Sequence, residues 1–390
     1  MLGDLNMLRS FKSIKDDILL VVTDPGDVTR HSRHCTNFSI LPGADSPDFD
    51  LVQGLVSLAK DFAEKPVLYY GNDEHLFVLT RNRDRLEPYF RFLMPAQDLI
   101  EDCTDKVRFL ELARQKQLPT PKEINCSDYT NSREAGAKVG FPCIIKPAVH
   151  KGWLDSTVIR DAGGKPLKIL FAANEQELDR WVTSIKKTDL EFIIQEFIPG
   201  GEDEIYSFHT FADENSQPLA CYVGKKVRTY PSIGGVSTYV GLIHNSEIAR
   251  LGNEAVKTLQ VKGPVKIDFK KHARTGKYYI LELNLRYNLW NYLGTVCGIN
   301  LPMLAYRHLS GLHYDTPADY KTNVKWLSFG DDFRSLVRYY RPEKEYTIGS
   351  WLWSLKSPKI YDIFAWDDPL PFIINLGYYL KALATRLTGR

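Results

Sequence analysis

Cysteine is scarce and scattered in this 390-residue chain: Cys35, Cys103, Cys126, Cys143, Cys221 and Cys297 form no C-x-x-C pair and no close Cys/His cluster. That spacing argues against a disulfide scaffold or a thiolate zinc site and suits a reducing cytoplasm. Excess charge is lacking as well. Fifty basic residues stand against 48 acidic ones, a formal net charge of +2, so no global field marks nucleic acid as the main partner. The first apolar run, Ile18 to Val22, is short and follows charged residues; it reads as a buried strand and no signal peptide. There is no internal repeat or low-complexity tract. What remains is length, and 390 residues imply two or three domains.

Up to about Asp102, strand signals at 18–22 (ILLVV), 37–41 (NFSIL), 66–70 (PVLYY) and 89–95 (YFRFLMP) alternate with helical stretches near 50–64 and 74–88. This alternation indicates a small α/β domain with a parallel sheet. A helix expected from about Asp105 to Gln117 is stopped by Pro119 and Pro121. The middle of the chain, from CIIKP (143–147) through EFIIQEFIPGG (191–201) to the hairpin near 275, is strand-rich and reads as α+β. Signals weaken after about Leu312 until a last helix.

The richest segment is VKIDFKKHARTGKYYILELNLR (265–286). Val265, Ile267 and Phe269 alternate with Lys266, Asp268 and Lys270, and Tyr279, Leu281, Leu283 and Leu285 alternate with Ile280, Glu282, Asn284 and Arg286. Period two predicts two strands with one buried face each, and Thr275-Gly276 supplies the turn. In that register Asp268 opposes Glu282, a destabilising pair of like charges unless a cation lies between them. With the Asn284 amide oxygen they make a set of hard ligands such as Mg²⁺ takes together with phosphates, and Arg286 would reach those phosphates or a second anion. The same residues also fit the solvated face of an ordinary hairpin.

Other segments carry weaker signals. Lys146 sits at a strand end before Pro147, where an ammonium can meet phosphate, although a lysine there is more often solvated. Lys106 opens a helix after Asp105. The loop 148–156 and Ala162-Gly163-Gly164-Lys165 suit a phosphate lid or a plain turn. Gln195, Glu196, Phe197 and Ile198 lead a strand into Pro199-Gly200-Gly201, a hinge that offers an apolar slot and backbone groups to a base; Glu202 or Glu204 beyond it would accept from ribose or be surface charge. Lys226, Arg228 and the Gly234-Gly235 loop can grip a carboxylate, or form a basic hairpin.

Taken in order, Asp105-Lys106, IIKP (144–147), IIQEFIPG (193–200), the Asp268 strand and Glu282-Leu283-Asn284-Leu285-Arg286 resemble the ATP-grasp superfamily, and KKVRTYPSIGGVST (225–238) resembles its carboxylate–amine ligase branch, with D-aspartate ligases and mycosporine-forming ligases. The resemblance covers about residues 15 to 312. It implies an α/β and α+β ATP-grasp fold: a Rossmann-like N-terminal domain (1–104), an ATP-grasp domain (105–312, its lid subdomain near 140–198 and antiparallel sheet near 199–312) and a C-terminal extension (313–390). It also implies roles. Lys106 and Lys146 would contact phosphates; Gln195, Glu196, Phe197 and Ile198 would meet adenine; Glu202 or Glu204 would take the ribose. Asp268, Glu282 and Asn284 would hold Mg²⁺, Arg286 and Lys146 would stabilise the transferring phosphoryl group, and Lys226, Arg228, Gly234 and Gly235 would hold the substrate.

Two features depart from the family pattern. The opening MLGDLNMLRSF shows no first strand with a glycine-rich turn, and Leu285 stands where the family carries proline after the asparagine. The activity implied is ATP-dependent joining of a small carboxylate to an amine through an acyl phosphate. A hydroxyl kinase and a silent nucleotide-binding module are the alternatives. The segment PLPFIINLGYYLKALATRLTGR (369–390) is too short and too polar at its end for a membrane span. It is expected to dock on the protein's own core or a dimer partner, or to lie on the inner face of a membrane.

Overall fold

The computed structural model describes residues 4–42, 50–127, 130–148, 153, 169–188 and 190–388. The N-terminal sheet is thin. Strands β1 (Leu19–Val22) and β2 (Asn37–Ile40) pair in parallel, but the expected strands at 66–70 and 89–95 reduce to one parallel bridge, Val67 to Arg91. Helix Leu51–Ala59 starts at Asp50, whose carboxylate accepts from the Val52 and Gln53 N–H groups. Its Leu51, Val52, Leu55, Val56 and Ala59 fall on one face and pack into a core shared with Ile267, Phe269 and Ile280. This sharing welds the N-terminal region to the large sheet described below.

A four-stranded antiparallel sheet follows, built of β3 (Glu123–Asn125), β4 (Cys143–Pro147), β5 (Leu170–Ala172) and β6 (Phe192–Glu196) in the order β3-β6-β4-β5. Strand periodicity decides its two faces. Ile124, Cys143, Ile145, Phe192 and Ile194 point into a core with Leu178, Val182 and Ile185 of helix Glu175–Ile185. The alternate residues Glu123, Ile144, Lys146, Ile193 and Gln195 therefore share the other face. The unit takes in β3 and helix Ser132–Val139, so it begins before the expected boundary near 140.

Among the described residues the large sheet has seven strands: β7 (Ile205–Ala212), β8 (Pro218–Tyr230), β9 (Val236–Ile243), β10 (Gly263–Lys271), β11 (Tyr278–Asn284), β12 (Lys325–Leu327) and β13 (Lys359–Tyr361). Their order is β11-β10-β7-β8-β9-β12-β13, antiparallel except for the last pair. The C-terminal extension thus completes this sheet. The hairpin has the expected register, with Asp268 opposite Glu282. A bulge follows, because Phe269 pairs with Ile280 and leaves Leu281 as the extra residue. The buried residues are in consequence Tyr278, Ile280, Leu283 and Leu285, which corrects the expected apolar set of Tyr279, Leu281, Leu283 and Leu285.

Candidate active site

The polar faces of the two sheets meet. On β10, Val265, Ile267 and Phe269 enter the core, so Lys266, Asp268 and Lys270 lie together on the opposite face. Ser207 of β7 is the cross-strand neighbour of Asp268, and its hydroxyl donates to Asp268 Oδ1 at 2.5 Å. Lys226 of β8 and Lys266 both bring Nζ to Asp268 Oδ2, at 3.0 and 2.9 Å. Burial alone would raise the Asp268 pKa; Lys226, Lys266 and the Ser207 hydroxyl hold the carboxyl well below its usual range. The like-charge opposition read from the hairpin is real, and the chain's own lysines supply the compensating cations.

Glu282 is exposed, and its field reaches Lys106, Lys146, Lys226 and Lys266. Lys106 and Lys146 are thereby brought beside the hairpin from two other elements. Lys106 opens helix Lys106–Gln115, whose first N–H groups are capped by Asp105, and its Nζ donates to the Pro147 carbonyl at 2.9 Å. Burial is the main cause that brings the Lys106 pKa down to about 8; Lys146 adds to it, while Glu282, Glu123 and Asp105 oppose it. Lys146 is lowered too, again chiefly by burial. Glu123, enclosed on β3, has its pKa pushed up to about 7 by burial against the pull of Lys146 and Lys106.

The other expected residues fall in three places. Gln195 is buried on the sheet face that also carries Lys146, and its amide donates to the Glu123 carboxylate. Glu196 accepts from the Lys122 N–H at 3.2 Å, Phe197 packs edge-on against Phe171 at 5.3 Å, and Ile198 is buried. Glu202 is raised by burial and pulled back by Lys270 and Lys226, which puts it at the same site; Glu204 accepts from the Tyr206 hydroxyl. Arg286 forks onto Asp73, with Nε to Oδ1 2.6 Å and Nη2 to Oδ2 2.9 Å, and donates to Asn284 Oδ1 at 3.4 Å.

Arg228, expected at a substrate carboxylate, is fully buried and engaged elsewhere. Its Nε and Nη2 grip Asp332, with Nη2 to Oδ2 2.7 Å, and its Nη1 donates to Ser354 Oγ. Gly234 and Gly235 close the β8–β9 loop. A Cβ at Gly235 would lie 2.0 Å from the Pro231 carbonyl oxygen, so this turn admits only glycine. The expected lid at 148–165 lies outside the described residues except for Ala148 and for Trp153, which is buried in the core of the four-stranded unit.

Sequence reasoning assigned no site role to Lys266, Ser207, Glu123 or Lys270. Lys266 and Lys270 were legible as the face-mates of Asp268. Glu123 and Ser207 become neighbours only through pairing across the sheets.

A metal ion fits part of this set. Glu282 and Asn284 offer hard oxygens on one edge strand, whereas Asp268 already carries two ammonium groups. Among the described residues, no group of three or more His, Cys, Asp or Glu is placed to hold a metal ion.

A four-stranded antiparallel unit facing a larger sheet across a lysine- and carboxylate-lined site is the ATP-grasp architecture. Solved structures agree. N5-carboxyaminoimidazole synthetase from Staphylococcus aureus, complexed with ADP, is similar with a TM-score of 0.58 at 12% identity, over 82% of this chain and 78% of that one. The biotin carboxylase domain of Hydrogenobacter thermophilus 2-oxoglutarate carboxylase, in complex with MgADP, ADP and bicarbonate, gives 0.57 at 16% identity, over 83% and 72%. In sequence the chain is similar to D-aspartate ligase of Enterococcus faecium, 25% identical over 307 residues, 76% of this chain and 71% of the ligase. Carbamoyl phosphate synthase large chains also match, but this chain spans only 17% of the length of the Pasteurella multocida protein, at 23% identity. No family model matches the chain.

Proposed function

We propose that this chain is an ATP-dependent carboxylate–amine ligase, forming an amide from a small carboxylic acid and an amine with release of ADP and phosphate. The observation that carries the reading is the position of Glu282, opposite Asp268 on the hairpin and within the field of both Lys106 and Lys146. The similarity to D-aspartate ligase favours amide formation over phosphorylation of a hydroxyl.

In this reading Lys106 and Lys146 bind the nucleotide phosphates as point charges at the seam between the sheets. Gln195, Glu196, Phe197 and Ile198 line the base, and Glu202 or Glu204 takes the ribose. Glu282 and Asn284 would hold Mg²⁺, which when bound neutralises phosphate charge and orients the terminal group. Arg286 lies beside Asn284 and stabilises charge on the transferring phosphoryl group. Lys226 and the Gly234-Gly235 turn border the carboxylate substrate. Arg228 ties the two strands that flank that turn together, through its ion pair with Asp332, which also accepts from the Thr238 hydroxyl. The carboxylate attacks the terminal phosphorus in line, ADP leaves, and the amine then displaces phosphate from the acyl phosphate.

The test is hydroxamate formation from Mg-ATP, pooled carboxylates and hydroxylamine. The intact chain is expected to give hydroxamate, and Glu282→Gln to lose at least about 100-fold of it while keeping its fold. Near-normal turnover in that variant would sink the assignment of Glu282.

We also infer where the last helix goes. Among the described residues no helix is long and apolar enough to cross a membrane. Helix Leu370–Thr388 nevertheless leaves Leu370, Ile373, Leu376, Tyr379 and Leu380 exposed, so it is not buried in the protein's own core. From Pro369 onward the chain has three cations and no acidic residue, a pattern that suits the surface of an anionic bilayer. Flotation with anionic vesicles is expected for the full chain and is expected to be lost on deleting residues 370–390. Unchanged flotation, or dimerisation through this helix without lipid, would replace the membrane with another partner.

A further inference from the structure

Asp268 is the residue whose surroundings least resemble those of a metal ligand. An ionised carboxylate has about four lone-pair positions. Here Oδ2 receives Lys226 Nζ at 3.0 Å and Lys266 Nζ at 2.9 Å, and Oδ1 receives the Ser207 hydroxyl at 2.5 Å. All three donors come from neighbouring positions in the sheet, and the Lys226 and Lys266 side chains are only 9% and 13% exposed. A divalent cation on Oδ2 would stand against two ammonium groups in an enclosed space where repulsion is poorly screened. Glu282, directly across the hairpin, is exposed and accepts no hydrogen bond from the described residues, and Asn284 follows it on the same strand.

We propose that Asp268 anchors a lysine pair in the place of a second metal ion: Lys226 and Lys266 receive the terminal phosphoryl oxygens of the nucleotide, and a single divalent cation is held by Glu282 and Asn284. Each ammonium has three donors and spends one on Asp268, which leaves two to meet an anion. The carboxylate fixes both groups before the anion arrives, as preorganised charge requires. The inference rests on the nucleotide-binding reading of this site; it reassigns Asp268 from metal ligand to positioning residue and moves Lys226 from the carboxylate substrate to the phosphoryl group that the carboxylate attacks.

The test counts Mn²⁺ by electron paramagnetic resonance in the presence of a non-hydrolysable ATP analogue, which needs no turnover. The intact chain is expected to bind one Mn²⁺. Glu282→Gln should weaken that ion by about 10-fold or more, whereas Asp268→Asn should leave its affinity nearly unchanged. Two Mn²⁺ per intact chain would overturn the proposal whether or not the variants fold, and so would an equal loss in Asp268→Asn. Lys226→Met and Lys266→Met should each weaken the ATP analogue by about 10-fold more than ADP; equal losses for both nucleotides would remove the lysines from the terminal phosphoryl group. Failure of the intact chain to bind the analogue at all would instead overturn the nucleotide reading itself, and this inference with it.

Discussion

Lys106, proposed above to contact a nucleotide phosphate, owes its electrostatics to enclosure. Its pKa falls from 10.5 to about 8 because burial and Lys146 outweigh Glu282, Glu123 and Asp105. The sign follows from which form binds. The ammonium attracts phosphate and the free amine does not, so affinity is present below pH 8 and is lost as pH rises through it, well before an ordinary lysine would titrate. ATP-analogue affinity is therefore expected to fall by about 10-fold per pH unit above that value. Lys106→Arg, whose guanidinium stays charged, should flatten the fall even if binding is weaker overall. A profile for the intact chain that is flat to pH 10 would take Lys106 out of the phosphate site. Glu123, with its pKa raised to about 7, faces the same two lysines, so Glu123→Gln serves as a control for its titration in the same window.

At the scale of elements, the hairpin was the most legible part of the chain. Alternation and a Thr-Gly turn were enough to place Asp268 opposite Glu282, because both partners lie within one short, locally closed unit. The bulge at Leu281 left no trace in the apolar pattern, since leucine suits either face. The strands expected at 66–70 and 89–95 have apolar composition but make a single bridge, as their side chains are taken up by packing against neighbouring helices. Arg228 reads from its own loop as a substrate grip because the carboxylate it pairs with lies 104 residues further on, beyond any local signal. That partner makes a sharp prediction. Asp332 accepts from Arg228, the Thr238 hydroxyl and the Trp351 indole, all within the core that joins β8 to helix Phe329–Ser335. Asp332→Ala would leave a buried guanidinium unpaired and is expected to cost about 3–5 kcal/mol in chemical denaturation. A loss under about 1 kcal/mol would mean that Arg228 can turn toward solvent, and would restore it as a direct ligand for substrate.

The whole molecule is closed by its ends. Arg9 and Asp368 are each about 1% exposed and 3.1 Å apart, and Asp368 also accepts from the Ser32 hydroxyl at 2.7 Å and the Arg33 N–H at 2.9 Å. Lys12 reaches Asp367 at 2.7 Å nearby. This clasp sits beside the N-terminal sheet, which among the described residues has two paired strands and so little ladder energy of its own. The last helix begins immediately after it, at Leu370, and adds exposed apolar surface without joining the core. The two features should separate on mutation. Asp368→Ala strands the Arg9 charge in the interior and is expected to lower the melting temperature by roughly 5 °C or more, in keeping with a cost of about 3–5 kcal/mol. Deleting 370–390 leaves the clasp intact, so it should abolish vesicle flotation while leaving the melting temperature within about 2 °C of the full chain. If the deletion destabilised the chain as much as Asp368→Ala, the helix would be a structural strut, and its exposed face would need no lipid to explain it.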